Sequence, residues 1–169
     1  MKFKRIMVFG RPGSGKSTFS WWLSQKSSIP VFHLDRFFYQ AGWKERDYQM
    51  YLADLESFVA RDQWIIDGNN FKSFELRYKR ADLILYFCYP LATCYWRIFK
   101  RKFFFKDASI YDRAYGCYET VQWKLLKYMW NYKKLMEEDV EKLNLLYPHV
   151  LFIKITSNNQ LQELKEFII

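Results

Sequence analysis

Gly10-Arg11-Pro12-Gly13-Ser14-Gly15-Lys16-Ser17 matches G-x-x-x-x-G-K-[ST] at every fixed position, and no other feature restricts the fold as tightly. Glycines at this spacing let the backbone curl into a nest whose N–H groups point at phosphate oxygens. The helix that follows adds the positive end of its dipole. Lys16 is then placed for the β- and γ-phosphates of a nucleotide and the Ser17 hydroxyl for Mg²⁺. At average composition such a match arises by chance in roughly one chain of this length in a hundred. Here it also has the required setting, because an apolar run over Lys4–Phe9 reads as a buried strand and 17–26 reads as a helix. The expected ligand is Mg-ATP, held by Gly10, Pro12, Gly13, Ser14, Gly15, Lys16, Ser17 and Thr18. No N-K-x-D segment of the kind that reads guanine is present, which favours ATP over GTP.

Short β-rich runs alternate with helical stretches along the rest of the chain. Further strands are expected at 31–34, 64–66, 83–87 and 150–155, and helices at 47–61, 74–80, from Pro90 through Arg101, at 118–146 and at 160–167. Phe37 to Trp43 reads as an aromatic loop. The alternation predicts a three-layer α/β/α P-loop domain around a five-stranded parallel sheet. Ligands of such sheets bind at the carboxyl ends of the strands, which directs attention to Asp35, Asp67 and Tyr89.

Trp64-Ile65-Ile66-Asp67 is a short apolar strand ending in a carboxylate, the natural second group for Mg²⁺ beside a P-loop. Asp35 closes the second strand, where a carboxylate could orient an acceptor hydroxyl or take its proton. His33, just before it, reads as a packed residue. Phosphoryl transfer builds charge on the equatorial oxygens, and arginines are the usual stabilisers. Arg97 and Arg101 lie i, i+4 on one predicted helix and can face one cleft. With Lys16 and Asp35 they form the candidate catalytic set. Asn69, Arg77 and Arg113 are the candidate acceptor contacts, and a basic lid is expected over about 97–117.

Lys and Arg outnumber Asp and Glu by 27 to 18, a formal charge of +9 that favours anionic partners, nucleic acid included. No helix-turn-helix, zinc-finger or RNA-binding signature accompanies that charge. Three cysteines without a C-x-x-C pair argue against a disulfide framework or a zinc site. The longest apolar stretch, 83–96, is broken by Pro90 and falls short of the roughly 20 residues a membrane span needs. A cytoplasmic protein with no membrane partner is expected, as a monomer or a homodimer; the apolar stripe Val121, Leu125, Tyr128, Tyr132, Leu135 and Met136 reads as core packing, with an exposed dimerising face as the alternative.

Taken with the P-loop, the segments VFHLDRFFYQAGW (31–43), WIIDGN (64–69), LRYKRADLILYF (76–87), WRIFKRK (96–102), GCYE (116–119) and YMWNY (128–132) resemble one bacterial family. These are the small P-loop proteins called DNA topology modulation proteins (FlaR-type), which are similar to adenylate kinases. The likeness runs over nearly the whole chain. It implies a kinase fold in which Asp35 meets the acceptor, Asp67 serves Mg²⁺, and Arg97 and Arg101 close over ATP. Two activities fit these observations. One is transfer of the γ-phosphate to a small nucleoside- or nucleotide-like acceptor. The other is an ATP-dependent regulator that binds DNA or a protein.

Overall fold

The structure is a computed structural model that describes residues 2–104, 116–117 and 121–168; Arg113 and most of the expected lid lie outside the described residues. Five strands form one sheet: β1 (Arg5–Gly10), β2 (Val31–His33), β5 (Trp64–Asp67), β6 (Leu83–Phe87) and β7 (Leu151–Ile155), in the order β2-β5-β1-β6-β7. Every neighbouring pair is parallel. β5 and β6 are buried along their full lengths and β1 from Ile6 onward, as strands covered on both faces must be.

Alternation within β1 divides the core in two. Met7 and Phe9 face a cluster with Tyr51, Leu55 and Tyr78 from α3 (Tyr48–Val59) and α4 (Phe74–Tyr78). Ile6 and Val8 face the opposite cluster, built from Phe19 and Leu23 of α1 (Lys16–Ser27), Cys94 and Ile98 of α5 (Leu91–Phe104), and Leu164 and Ile168 of α7 (Asn158–Ile168). The three-layer α/β/α architecture follows from these two faces.

The helix α6 (Trp123–Leu146) belongs to both cores. Met129 packs in the α5 cluster, whereas Tyr132, Met136, Val140 and Leu143 pack with α3 and α4. Its buried stripe therefore differs from the expected one: Leu135 is exposed and Met129 is fully buried. Because α6 packs on two cores, its buried positions do not keep to one line.

Between β2 and α3 the chain is more structured than the expected aromatic loop. A short helix, α2 (Leu34–Phe38), is followed by a hairpin of β3 (Tyr39–Gln40) and β4 (Lys44–Glu45). Asp35 accordingly lies in the first turn of α2, two residues beyond the end of β2 and not directly at a strand end. The stack of Phe37 on Phe32, with ring centroids 3.8 Å apart, folds α2 back against the sheet. Helix α3 starts where Asp47 caps it, accepting the Met50 N–H at 2.9 Å.

Candidate active site

The loop between β1 and α1 needs glycine for two different reasons. At Gly13, φ is +78° and a Cβ would sit 2.5 Å from the Cys94 carbonyl oxygen of α5. At Gly10 a Cβ would sit 2.4 Å from the Phe87 carbonyl oxygen of β6. Around Gly15 the space is open, the nearest atom to an added Cβ being an Arg97 nitrogen at 3.6 Å. Gly15 is the N-cap of α1 and offers no side-chain cap, so the first N–H groups of that helix have no intrahelical partner. The loop thus presents an open, donor-rich concavity shaped for phosphate.

Neighbouring elements hold this concavity in place. The Asn69 side chain accepts the Gly10 N–H at 3.1 Å and donates to the Gly10 carbonyl at 2.9 Å. The Tyr132 hydroxyl donates to the same Asn69 oxygen at 3.0 Å. Arg11 turns inward, donating to the Met129 carbonyl at 2.9 Å and the Tyr89 carbonyl at 3.0 Å. Arg97 donates to the Ser14 carbonyl at 2.8 Å and to Asn158 Oδ1 at 3.0 Å, with its guanidinium 4.4 Å from the centroid of the Tyr89 ring. Arg101 follows one turn later on α5 and is half-buried. Thr18 is exposed on the first turn of α1.

Asp67 meets the P-loop at the end of β5. Its Oδ2 lies 2.9 Å from His33 Nδ1, a contact set by the sheet, since His33 and Asp67 are register partners in β2 and β5. Its Oδ1 is buried 3.9 Å from Lys16 Nζ without a well-formed hydrogen bond, and the Ser17 hydroxyl interacts with the same carboxylate. Burial alone would push the carboxyl pKa up. The Lys16 ammonium, His33 and Ser17 outweigh it and hold Asp67 below the ordinary carboxylate range. An ionised, under-coordinated carboxylate oxygen beside a hydroxyl is a hard oxygen pair that suits Mg²⁺, with phosphate and water completing the shell. The Ser14 hydroxyl is likewise buried without a partner among the described residues. The residues present fit both the nucleotide phosphates and the ion.

Two candidate acceptor contacts stand elsewhere than expected. Arg77 is fully buried, donating to the carbonyls of Ser73 (3.2 Å), Gly68 (3.2 Å) and Asn70 (2.9 Å), so it braces the loop after β5 and does not face an open cleft. The Asn69 amide is engaged with Gly10 on both of its polar atoms. Both residues shape the site from behind, because they sit where the strand ends must be tied together. Asp35 is exposed on α2, and its charge acts on Tyr39 and Tyr128. Burial is the largest influence on both phenols and raises them; the carboxylate raises them further.

Sequence reasoning missed three contributors: His33 as the partner of Asp67, Arg11 as an internal brace, and Asn158 as the partner of Arg97. Each contact joins positions whose adjacency is created by strand order or helix packing, and no local spacing signals it.

No protein-family model matches the chain, and no curated protein matches it significantly. Solved structures do. A deoxyadenosine kinase from M. mycoides with dCMP and dCDP bound is 16% identical, with a TM-score of 0.53 over 96% of this chain and 97% of that one. The same enzyme with dATP bound gives a TM-score of 0.51 at 14% identity, over 96% of this chain and 97% of that one. Shikimate kinase from Acinetobacter baumannii in complex with shikimate gives 0.62 at 12% identity, over 99% of this chain and 93% of that one. None of these bears on the resemblance to the topology modulation proteins. At such identities the likeness is one of architecture: the chain has the P-loop kinase fold.

Proposed function

We propose that the protein is an ATP-dependent phosphotransferase acting on a small acceptor. The observation that carries this reading is the convergence of Lys16, Ser17 and Asp67 at the ends of β1 and β5, with Asp67 Oδ1 buried and short of partners. In this reading the P-loop N–H groups bind the β- and γ-phosphates, Lys16 neutralises their charge, and Arg97 fixes the loop through Ser14. Ser17 and Asp67 would hold Mg²⁺, which when bound screens the charge on the phosphates. Asp35 stands on the β2 side, where its carboxylate would orient the attacking hydroxyl and accept its proton.

The test is ADP release from Mg-ATP across nucleosides, nucleotides and hydroxylated metabolites, with the Lys16→Ala variant as the blank. Stimulation by an acceptor that depends on Lys16 is the expected result. Equal release by wild type and variant with every acceptor would remove the P-loop from any chemistry.

One observation favours a second reading, the nucleotide-dependent regulator that binds nucleic acid. Trp96, Phe103 and Phe104 are exposed on α5 beside Lys100 and Lys102, a combination suited to stacked bases and phosphates. Binding to single-stranded DNA that weakens steeply with salt would support it. Weak binding, insensitive to salt, would remove it.

A further inference from the structure

β2 and β5 each end in a polar residue, and the two are register partners. β2 reads Val31-Phe32-His33 and β5 reads Trp64-Ile65-Ile66-Asp67, with His33 opposite Asp67. Side chains alternate along a strand. Phe32 and Ile66 face the core of α3 and α4, whereas Val31 and Ile65 face the core of α1. The alternation therefore puts His33 and Asp67 on the α1 face of the sheet, at the carboxyl ends of their strands, where Lys16 and Ser17 open α1. Both are buried, and a polar side chain taken out of water must find partners.

An ionised carboxylate can only accept hydrogen bonds. At 2.9 Å it is therefore His33 Nδ1 that carries the hydrogen and Asp67 Oδ2 that receives it. That bond decides how the carboxylate is turned. With Oδ2 held on the β2 side, rotation about Cβ–Cγ is stopped, and Oδ1 stays toward α1, 3.9 Å from Lys16 Nζ. Oδ1 is the oxygen that is buried without a well-formed hydrogen bond. Its direction is set by the sheet register before any ligand arrives, because both ends of the bond belong to paired strands.

Resting on the reading that gives Ser17 and Asp67 to Mg²⁺, we infer that His33 is a positioning residue for that ion: its Nδ1–H pins Asp67 Oδ2 and so presents Oδ1 to the cation. Contacts of this kind to a ligating carboxylate carry about 10–100-fold of metal affinity. The role is exerted through Asp67, and it belongs to the donor at Nδ1, not to the bulk of the ring.

Leucine and asparagine both branch at Cγ, as the imidazole does. The Asn amide nitrogen can take the place of Nδ1 and donate, whereas a Leu methyl at the same place cannot. Dissociation constants of the non-hydrolysable β,γ-imido analogue of ATP are measured by calorimetry for wild type, His33→Leu and His33→Asn, with Mg²⁺ and again in EDTA. The gain in affinity that Mg²⁺ confers should shrink by about tenfold or more in His33→Leu and return in His33→Asn. Metal-free affinity should stay at the wild-type value throughout. A gain unchanged in His33→Leu, a loss shared by His33→Asn, or an equal loss with and without metal would each overturn the inference and leave the metal reading standing. No gain from Mg²⁺ in wild type would take the ion away from Ser17 and Asp67 and overturn both.

A second measurement needs no folded variant. The chain has 2 histidines, and His149 stands just before β7, at the opposite edge of the sheet. In nitrogen NMR spectra of the wild-type nucleotide complex, adding Mg²⁺ should move the His33 Nδ1 resonance, because the carboxylate that receives its hydrogen gives charge to the ion. The His149 signals should stay in place. An unmoved His33 resonance would overturn the inference.

Discussion

Asn69 and Gly10 are joined by a reciprocal pair of hydrogen bonds, the side-chain amide accepting the Gly10 N–H and donating to the Gly10 carbonyl. This pair fastens the end of β5 to the last residue of β1, where the phosphate loop begins. Asn69→Ala should therefore loosen the loop without touching a ligand. The expected loss is about 1–3 kcal/mol of stability, because two backbone groups and the Tyr132 hydroxyl lose their partner together. Mg-ATP affinity should fall several-fold, read by calorimetry. Wild-type affinity with reduced stability would confine the pair to a purely structural role.

Gly13 and Gly42 offer a matched comparison. Their φ values are +78° and +74°, but a Cβ at Gly13 would meet the Cys94 carbonyl at 2.5 Å, whereas nothing lies within 4 Å of one at Gly42. Gly42→Ala should cost only the left-handed backbone term, about 1–2 kcal/mol. Gly13→Ala adds a clash with α5, must displace the loop from Arg97, and should abolish nucleotide binding. Thermal melts with and without ATP distinguish the two.

Asp35→Asn should lower kcat far more than it weakens ATP binding, since Asp35 lies away from the phosphate loop and acts on the acceptor proton. A general-base contribution corresponds to about 10²–10⁴ in rate. Unchanged kcat and KM would reduce Asp35 to a turn residue.

Asp82 reports on stability at the far end of the sheet. Its carboxylate accepts N–H groups from Lys4 and Arg5 at 3.1 and 2.9 Å and pairs with the Arg5 guanidinium. Partial burial raises its pKa, but these contacts outweigh burial and hold it below the ordinary 3.8. A depressed pKa means the stabilisation is complete above that ordinary value and is lost as pH falls through the lower folded value. Asp82→Asn should thus be destabilising at pH 7 by about 1 kcal/mol, solvent screening included. The gap from wild type should close under acid. Denaturant titrations at pH 7 and pH 3 check it; a constant gap would mean that the charge is irrelevant.

Much of this fold was legible because periodicity reports burial. The run Ile6–Phe9 is apolar at every position because both faces of β1 are covered, and the strand is where that run places it. The P-loop was legible because its backbone geometry demands particular residues. Asp67 could be singled out as an acid ending a buried strand. Its bond to His33 could not, since it depends on β2 lying beside β5, a neighbour relation made by the whole sheet. Arg77 shows the opposite failure. A basic residue after a strand end reads as a ligand contact, yet Arg77 turns inward onto the carbonyls of Gly68, Asn70 and Ser73, which the turn brings together around its guanidinium. Short elements also escape: α2 and the Tyr39–Glu45 hairpin hold too few residues to show a period.

The inward reach of Arg11 has a thermodynamic consequence. Its guanidinium joins the phosphate loop to the Met129 carbonyl of α6, and three residues further along the same helix Tyr132 bonds Asn69. The phosphate loop and α6, which also carries Tyr128, are therefore parts of one braced body. A ligand that shifts α6 on one side must change the energy of binding on the other, and by reciprocity each ligand alters the affinity of its partner by the same factor.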